Sequence, residues 1–149
     1  YNYFTDIKDL IFECVLDFQD EATSFIQNQL KDNTQPGKER IKAITNAYVN
    51  YFLEYPGIFE LFYIEKMSNL AGKKPMAELI HSFLNRLCEE DWQVCLIEKQ
   101  YKKSKIEIKK RQLNYLVLGM LLTYLHRQIP QTYNEFIEVR DGQVNKVLN

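Results

Sequence analysis

The sequence predicts an all-α fold, a helical bundle of about six helices. Three observations carry that expectation. Gly and Pro are scarce, at 5 and 4 in 149 residues, and an all-β chain needs many turns built from both. Apolar residues recur at helical spacing along almost the whole chain. Polar or Pro-containing segments punctuate those runs where helices should stop. The length suits one domain with its own core.

The first helix is expected from about Thr5 to Lys31. Thr5 and Asp6 suit an N-cap, and Leu10, Val15, Phe18, Ala22, Phe25, Ile26 and Leu30 form its stripe. DNTQPG ends it. The second runs from about Lys38 to Glu54, with Ile41, Ile44, Tyr48, Tyr51 and Phe52 on one face. Pro56 stops it, since the residue before proline is pushed out of the helical region. A short aromatic helix spans about Gly57 to Lys66, and SNLAGKK is read as a loop. Pro75 opens a helix reaching about Gln100. The next begins in KKSKIEIKKR and becomes apolar on all sides at YLVLGMLLTYL. A last amphipathic helix runs from about Thr132 to Leu148.

Composition excludes several classes. The net charge of −1 argues against DNA binding by bulk charge. Cys14, Cys88 and Cys95 are an odd number in apolar surroundings, which reads as reduced core thiols of a cytoplasmic protein. No signal peptide is visible, and the apolar run from Tyr115 to Leu125 is too short to cross a bilayer. No membrane partner is expected.

Two stretches carry a family resemblance. YNYFTDIKDLIFECV resembles the junction in TetR-family regulators where the recognition helix ends and the long fourth helix begins, a pattern of Tyr, aromatic, His, Phe, x, Ser, Lys, x, x, Leu. Tyr1, Tyr3, Phe4 and Leu10 fall on its Tyr, His, Phe and Leu. RIKAITNAYVNYFLEYPGIFELFY is similar to the family's fifth helix, Pro break and short sixth helix. The last two helices match its C-terminal pair. The resemblance implies residues 1–4 as the tail of a helix-turn-helix domain whose remainder is absent. Residues 5–149 would then be the ligand-binding and dimerisation domain of a ligand-responsive repressor. The family's phosphate-binding Lys corresponds to Ile7, with Lys8 one residue late, about 100° around the helix. Tyr1, Tyr3 and Lys8 are the DNA-contact candidates, Tyr1 through its hydroxyl. The plainer reading of Tyr1, Tyr3 and Phe4 is a hydrophobic hinge.

Candidate ligand residues are Phe18, Tyr48, Phe52, Phe59, Phe62, His81, Cys88 and Leu116. Aromatics make up 13% of the chain and fall on inward stripes of several helices. Such convergence builds either plain core or an apolar pocket. Few charges are expected to face inward, so a neutral or weakly cationic small hydrophobic ligand is expected. His81 is either a polar anchor in the pocket or a partly buried histidine with its own partners. His81, Cys88 and Cys95 lie seven residues apart. Each step rises about 10.5 Å, so the three cannot share one ion, and no metal or cofactor is expected. No catalytic set is visible: there is no GxSxG and no Gly-rich phosphate loop. Glu89, Glu90 and Asp91 are adjacent and diverge around the helix. The six positive charges from Lys102 to Arg111 read as a solvated cap at the end away from DNA.

A helix apolar all round must be covered on two sides. Leu118, Gly119, Leu122, Leu125, Tyr133, Phe136, Ile137 and Val144 are therefore expected to form a two-fold, four-helix homodimer interface. Gly119 and Thr123 would admit a close helix. Operator DNA would be a partner through the absent head. The competing reading, from another class, is a helical carrier of lipid or another hydrophobe with no DNA role.

Overall fold

The computed structural model of the chain describes residues 3–31, 35–64 and 74–149. Among them are eight helices and no strand. They are α1 (Tyr3–Gln29), α2 (Lys38–Glu54), α3 (Pro56–Tyr63), α4 (Lys74–His81), α5 (Phe83–Leu87), α6 (Glu89–Ile97), α7 (Lys103–Arg127) and α8 (Tyr133–Leu148). The all-α class is as the sequence implies. The expected count of six is corrected, because the helix foreseen from Pro75 to Gln100 is three segments, broken at Ser82 and Cys88.

The break at Ser82 has a visible cause. The Leu79 carbonyl accepts from Gln19 Nε2 at 3.2 Å, from an Arg86 guanidinium nitrogen at 2.8 Å and from the Ser82 hydroxyl at 3.4 Å. Side chains thus take an oxygen that a continuous helix would offer to its own backbone.

The central helix is α2, which packs against α1, α3, α5, α6, α7 and α8. That position explains its burial on more than one face: Ile41, Ile44, Thr45, Tyr48, Val49, Tyr51 and Phe52 are all buried. Fully burying one such Phe contributes about 1.5–3 kcal/mol. Its start is held from outside. Gly37 sits at φ 142°, a region that favours glycine, and it brings no capping side chain. Asp91 of α6 anchors that residue from outside by accepting the Gly37 N–H at 3.0 Å. Burial raises the Asp91 carboxyl pKa, although that bond and Arg40 oppose the rise. Pro56 stands in the first turn of α3, where its missing N–H is harmless.

α7 and α8 pack against each other. Thr132 caps α8 by accepting the Glu135 N–H at 3.2 Å, half of a capping box. The far end of α8 is also closed. Lys109 Nζ donates to the Val147 carbonyl at 2.5 Å, and the Tyr101 hydroxyl donates to the Leu148 carbonyl. Arg140, 6% exposed, donates to Asn50 Oδ1 at 2.7 Å and pins α8 to α2. No helix among the described residues is long and apolar enough to cross a membrane.

Candidate functional site

Helix geometry divides α7 into four sides, at 100° per residue. Leu113, Val117 and Leu121 enter the core, each 2% exposed or less. Leu116, Met120 and Thr123 border a groove against α8. Glu107, Arg111, Asn114 and Leu118 border a cleft on the opposite flank. The fourth side, with Tyr115, Gly119 and Leu122, is exposed.

The cleft has a volume of about 470 Å³ and is partly open, within the roughly 300–1,000 Å³ of small-molecule sites. Its apolar wall is Phe59, Leu84, Val117, Leu118 and Leu121; Tyr48, Tyr63 and His81 join it from α2, α3 and α4. The Tyr48 and Tyr63 hydroxyls are hydrogen-bonded to each other. Tyr63 meets His81 edge to face at 6.0 Å. Burial raises Tyr63 to about 12, against the bond to Tyr48, which lowers it; burial first, and then the neighbouring Tyr63, raise Tyr48 well above the ordinary tyrosine value. Both phenols are therefore neutral donors near pH 7.

The other end of the cleft is polar. Asn114 Nδ2 donates to Asn85 Oδ1 at 2.9 Å, tying α7 to α5. Lys110 Nζ lies 3.4 Å from Glu107 Oε1. Arg111 borders the cleft and is exposed. One wall is also linked to α1: Arg86 donates to Gln19 Oε1 at 3.0 Å, while Gln19 reaches Leu79.

Of the expected ligand residues, Tyr48, Phe59 and His81 come together at the cleft. Phe52, Phe62 and Cys88 do not; they are core, at 0%, 5% and 1% exposed. Phe52 meets Tyr48, Tyr51, Phe59, Phe62 and Tyr63 within 6 Å between ring centroids, which leaves it no free face. Phe18 packs on Phe62 at 6.3 Å. Leu116 lies on the α8 side, in the groove rather than the cleft.

Lys110 and Arg111 correct the expectation that the basic run is only a solvated cap and that few charges border the ligand site. Lys110 lies seven residues before Val117 and Arg111 seven before Leu118, so their position was available from helix spacing, but only once the neighbouring wall was known.

Of the expected interface residues, Leu122 and Tyr133 are 41% and 56% exposed. Gly119 is exposed, and a Cβ built on it would meet nothing within 4 Å. Leu118, Leu125 and Ile137 are half-buried, Leu118 against the cleft. Phe136 and Val144 are corrections: each is 1% exposed. Phe136 stacks on Tyr124 at 4.4 Å, so these two belong to the chain's own core. Sequence reasoning missed Tyr115, Ile129 and Val139, at 70%, 60% and 43% exposed. Tyr1 lies outside the described residues, as do the side chains of Tyr3 and Lys8. Among the described residues no group of three His, Cys, Asp or Glu could hold a metal ion.

The chain is thus an all-α domain with a polar-ended cleft on one flank of its longest C-terminal helix and an exposed apolar strip beside it. Comparison with known protein families, with curated proteins and with solved structures gives no match.

Proposed function

We propose that this chain is the ligand-binding and dimerisation part of a TetR-like transcriptional repressor. The observation that carries the reading is the strip left open on α7 and α8. Tyr115, Leu122, Ile129, Tyr133 and Val139 are between 41% and 70% exposed, around a groove of about 580 Å³ that Gly119 and Thr123 help to line. An apolar strip of this kind, with small residues at its centre, suits a second copy of the same helix pair. The cleft lies on the neighbouring flank of α7, so a ligand there touches the helix that would carry the interface.

The order of elements supports the family resemblance. A long α1 is followed by a central α2, a Pro-started α3, a stepped segment and a C-terminal pair. Ile7 and Leu10 near the start of α1 are 40% and 64% exposed; in this reading they pack against a DNA-reading head. A ligand that favours one arrangement of the dimer shifts the spacing of two such heads, and the shift is limited by its difference in affinity for the two states. Gln19 and Arg86 offer a route from the cleft wall to α1.

The test takes the full gene product, any residues encoded upstream of Tyr1 included. It should bind selected fragments of its own genome, and a cleft ligand should weaken that binding. Ligand binding with no sequence-selective DNA affinity would favour the hydrophobe carrier and reject the regulator.

A further inference from the structure

Resting on the reading of the cleft as a ligand site, we propose that its ligand is an elongated amphiphile carrying one anionic group, such as a medium-chain carboxylate. It lies along α7 with the acidic end on Arg111 and the apolar end against Tyr63 and Leu118, the half-buried part of the apolar wall. The first argument is direction. The cleft residues of α7 change character along the helix, from Lys110, Arg111 and Asn114 to Val117, Leu118 and Leu121. Lys110 and Leu118 are separated by about 12 Å at the rise of an α-helix. A compact apolar ligand would not use the polar end, and a compact polar one would not use the other.

The second argument is charge. Glu107 already holds Lys110 at 3.4 Å. Arg111 has no hydrogen bond or ion pair among the described residues. With Lys110 and Glu107 cancelling, the cleft carries one unanswered positive charge. A guanidinium is suited to a carboxylate, which it can meet through two parallel N–H bonds. The Tyr48 and Tyr63 hydroxyls add polarity at the aromatic wall but no charge, because both stay protonated near neutral pH. A cationic amphiphile would meet Arg111 unfavourably, and a dianion would find only one free partner.

The test is calorimetric titration of the whole chain at low salt with decanoate, decanol and decylamine, all below micellar concentration. Decanoate should bind about tenfold tighter than decanol, a typical contribution of one charge-assisted contact, and decylamine should bind weakest. Arg111→Gln should bring decanoate down to the decanol level and leave decanol unchanged, while Arg111→Lys keeps part of the preference. Added salt should narrow the gap, since Arg111 is exposed. Equal affinities for decanoate and decanol, or an undiminished preference in Arg111→Gln, would overturn the anionic assignment and leave the cleft standing. Binding of none of the three would overturn the cleft as a ligand site and the anionic assignment with it.

Discussion

Replacing Tyr63 with Phe removes half of a buried hydroxyl pair and should cost more than its size suggests. The Tyr48 and Tyr63 hydroxyls bond to each other, and Tyr48 is only 3% exposed. In Tyr63→Phe the Tyr48 hydroxyl keeps its burial and loses that partner. A buried, unsatisfied polar group costs about 1–3 kcal/mol. Tyr48→Phe should be milder, at about 1 kcal/mol, because Tyr63 borders the open cleft and water can replace the lost partner. The double variant keeps both rings and orphans neither hydroxyl, so it should cost no more than about 1 kcal/mol. The two substitutions should therefore couple by roughly 1–3 kcal/mol in a double-mutant cycle. Urea unfolding at pH 7, with a common slope for all four proteins, measures it.

The same pair sets an alkaline limb. Burial first raises Tyr63 from 10.0 to about 12, so the folded state favours the neutral phenol. Its contribution is full below pH 10 and is lost as pH rises towards about 12. The loss is on the order of 2–3 kcal/mol for such a shift. Wild type should weaken through that window, and the double variant should weaken less. If the double variant costs the sum of the singles, and its alkaline limb matches wild type, the hydroxyl pair is not a coupled buried unit and the reasoning fails.

Leu122→Glu should leave the fold intact and abolish self-association, because Leu122 is 41% exposed in the single chain; Val144→Glu, at a residue 1% exposed, should unfold it. Near-wild-type circular dichroism with a monomer mass is the expected pair of results for the first variant. In thiol titration of the native protein, Cys14 should react first. Cys88 and Cys95 are buried, and burial raises both thiols, so they should react only on unfolding. Arg86→Ala should speed amide exchange in the middle of α1, because it removes the donor to Gln19 Oε1 and one of the three side-chain donors to the Leu79 carbonyl. Unchanged exchange there would remove the proposed route from the cleft wall to α1.

Much of the fold was legible because local signals agreed with each other. The stripe of α2 and the stop at Pro56 each gave position as well as type. The division of the segment after Pro75 was not legible. Its cause, the Gln19 amide on the Leu79 carbonyl, reaches across 60 residues of chain, and no local pattern reports it. The cleft was legible only in part. Periodicity shows that Phe52, Phe59 and Phe62 point inward, but not that Phe52 is ringed by other aromatics while Phe59 reaches a cavity. The same limit hid Arg111: a charge on the flank of α7 reads as solvated until the wall beside it is known. Phe136 and Val144 show the converse. Their apolar stripe was correctly read, and the chain itself buries it.

Sedimentation of the chain at micromolar concentration, without ligand, tests the central claim most directly. The exposed strip on α7 and α8 is the feature that separates a dimeric sensor from a monomeric carrier. The account predicts one species at twice the chain mass of 17.8 kDa, converted to monomer by Leu122→Glu. A single species at 17.8 kDa would contradict it.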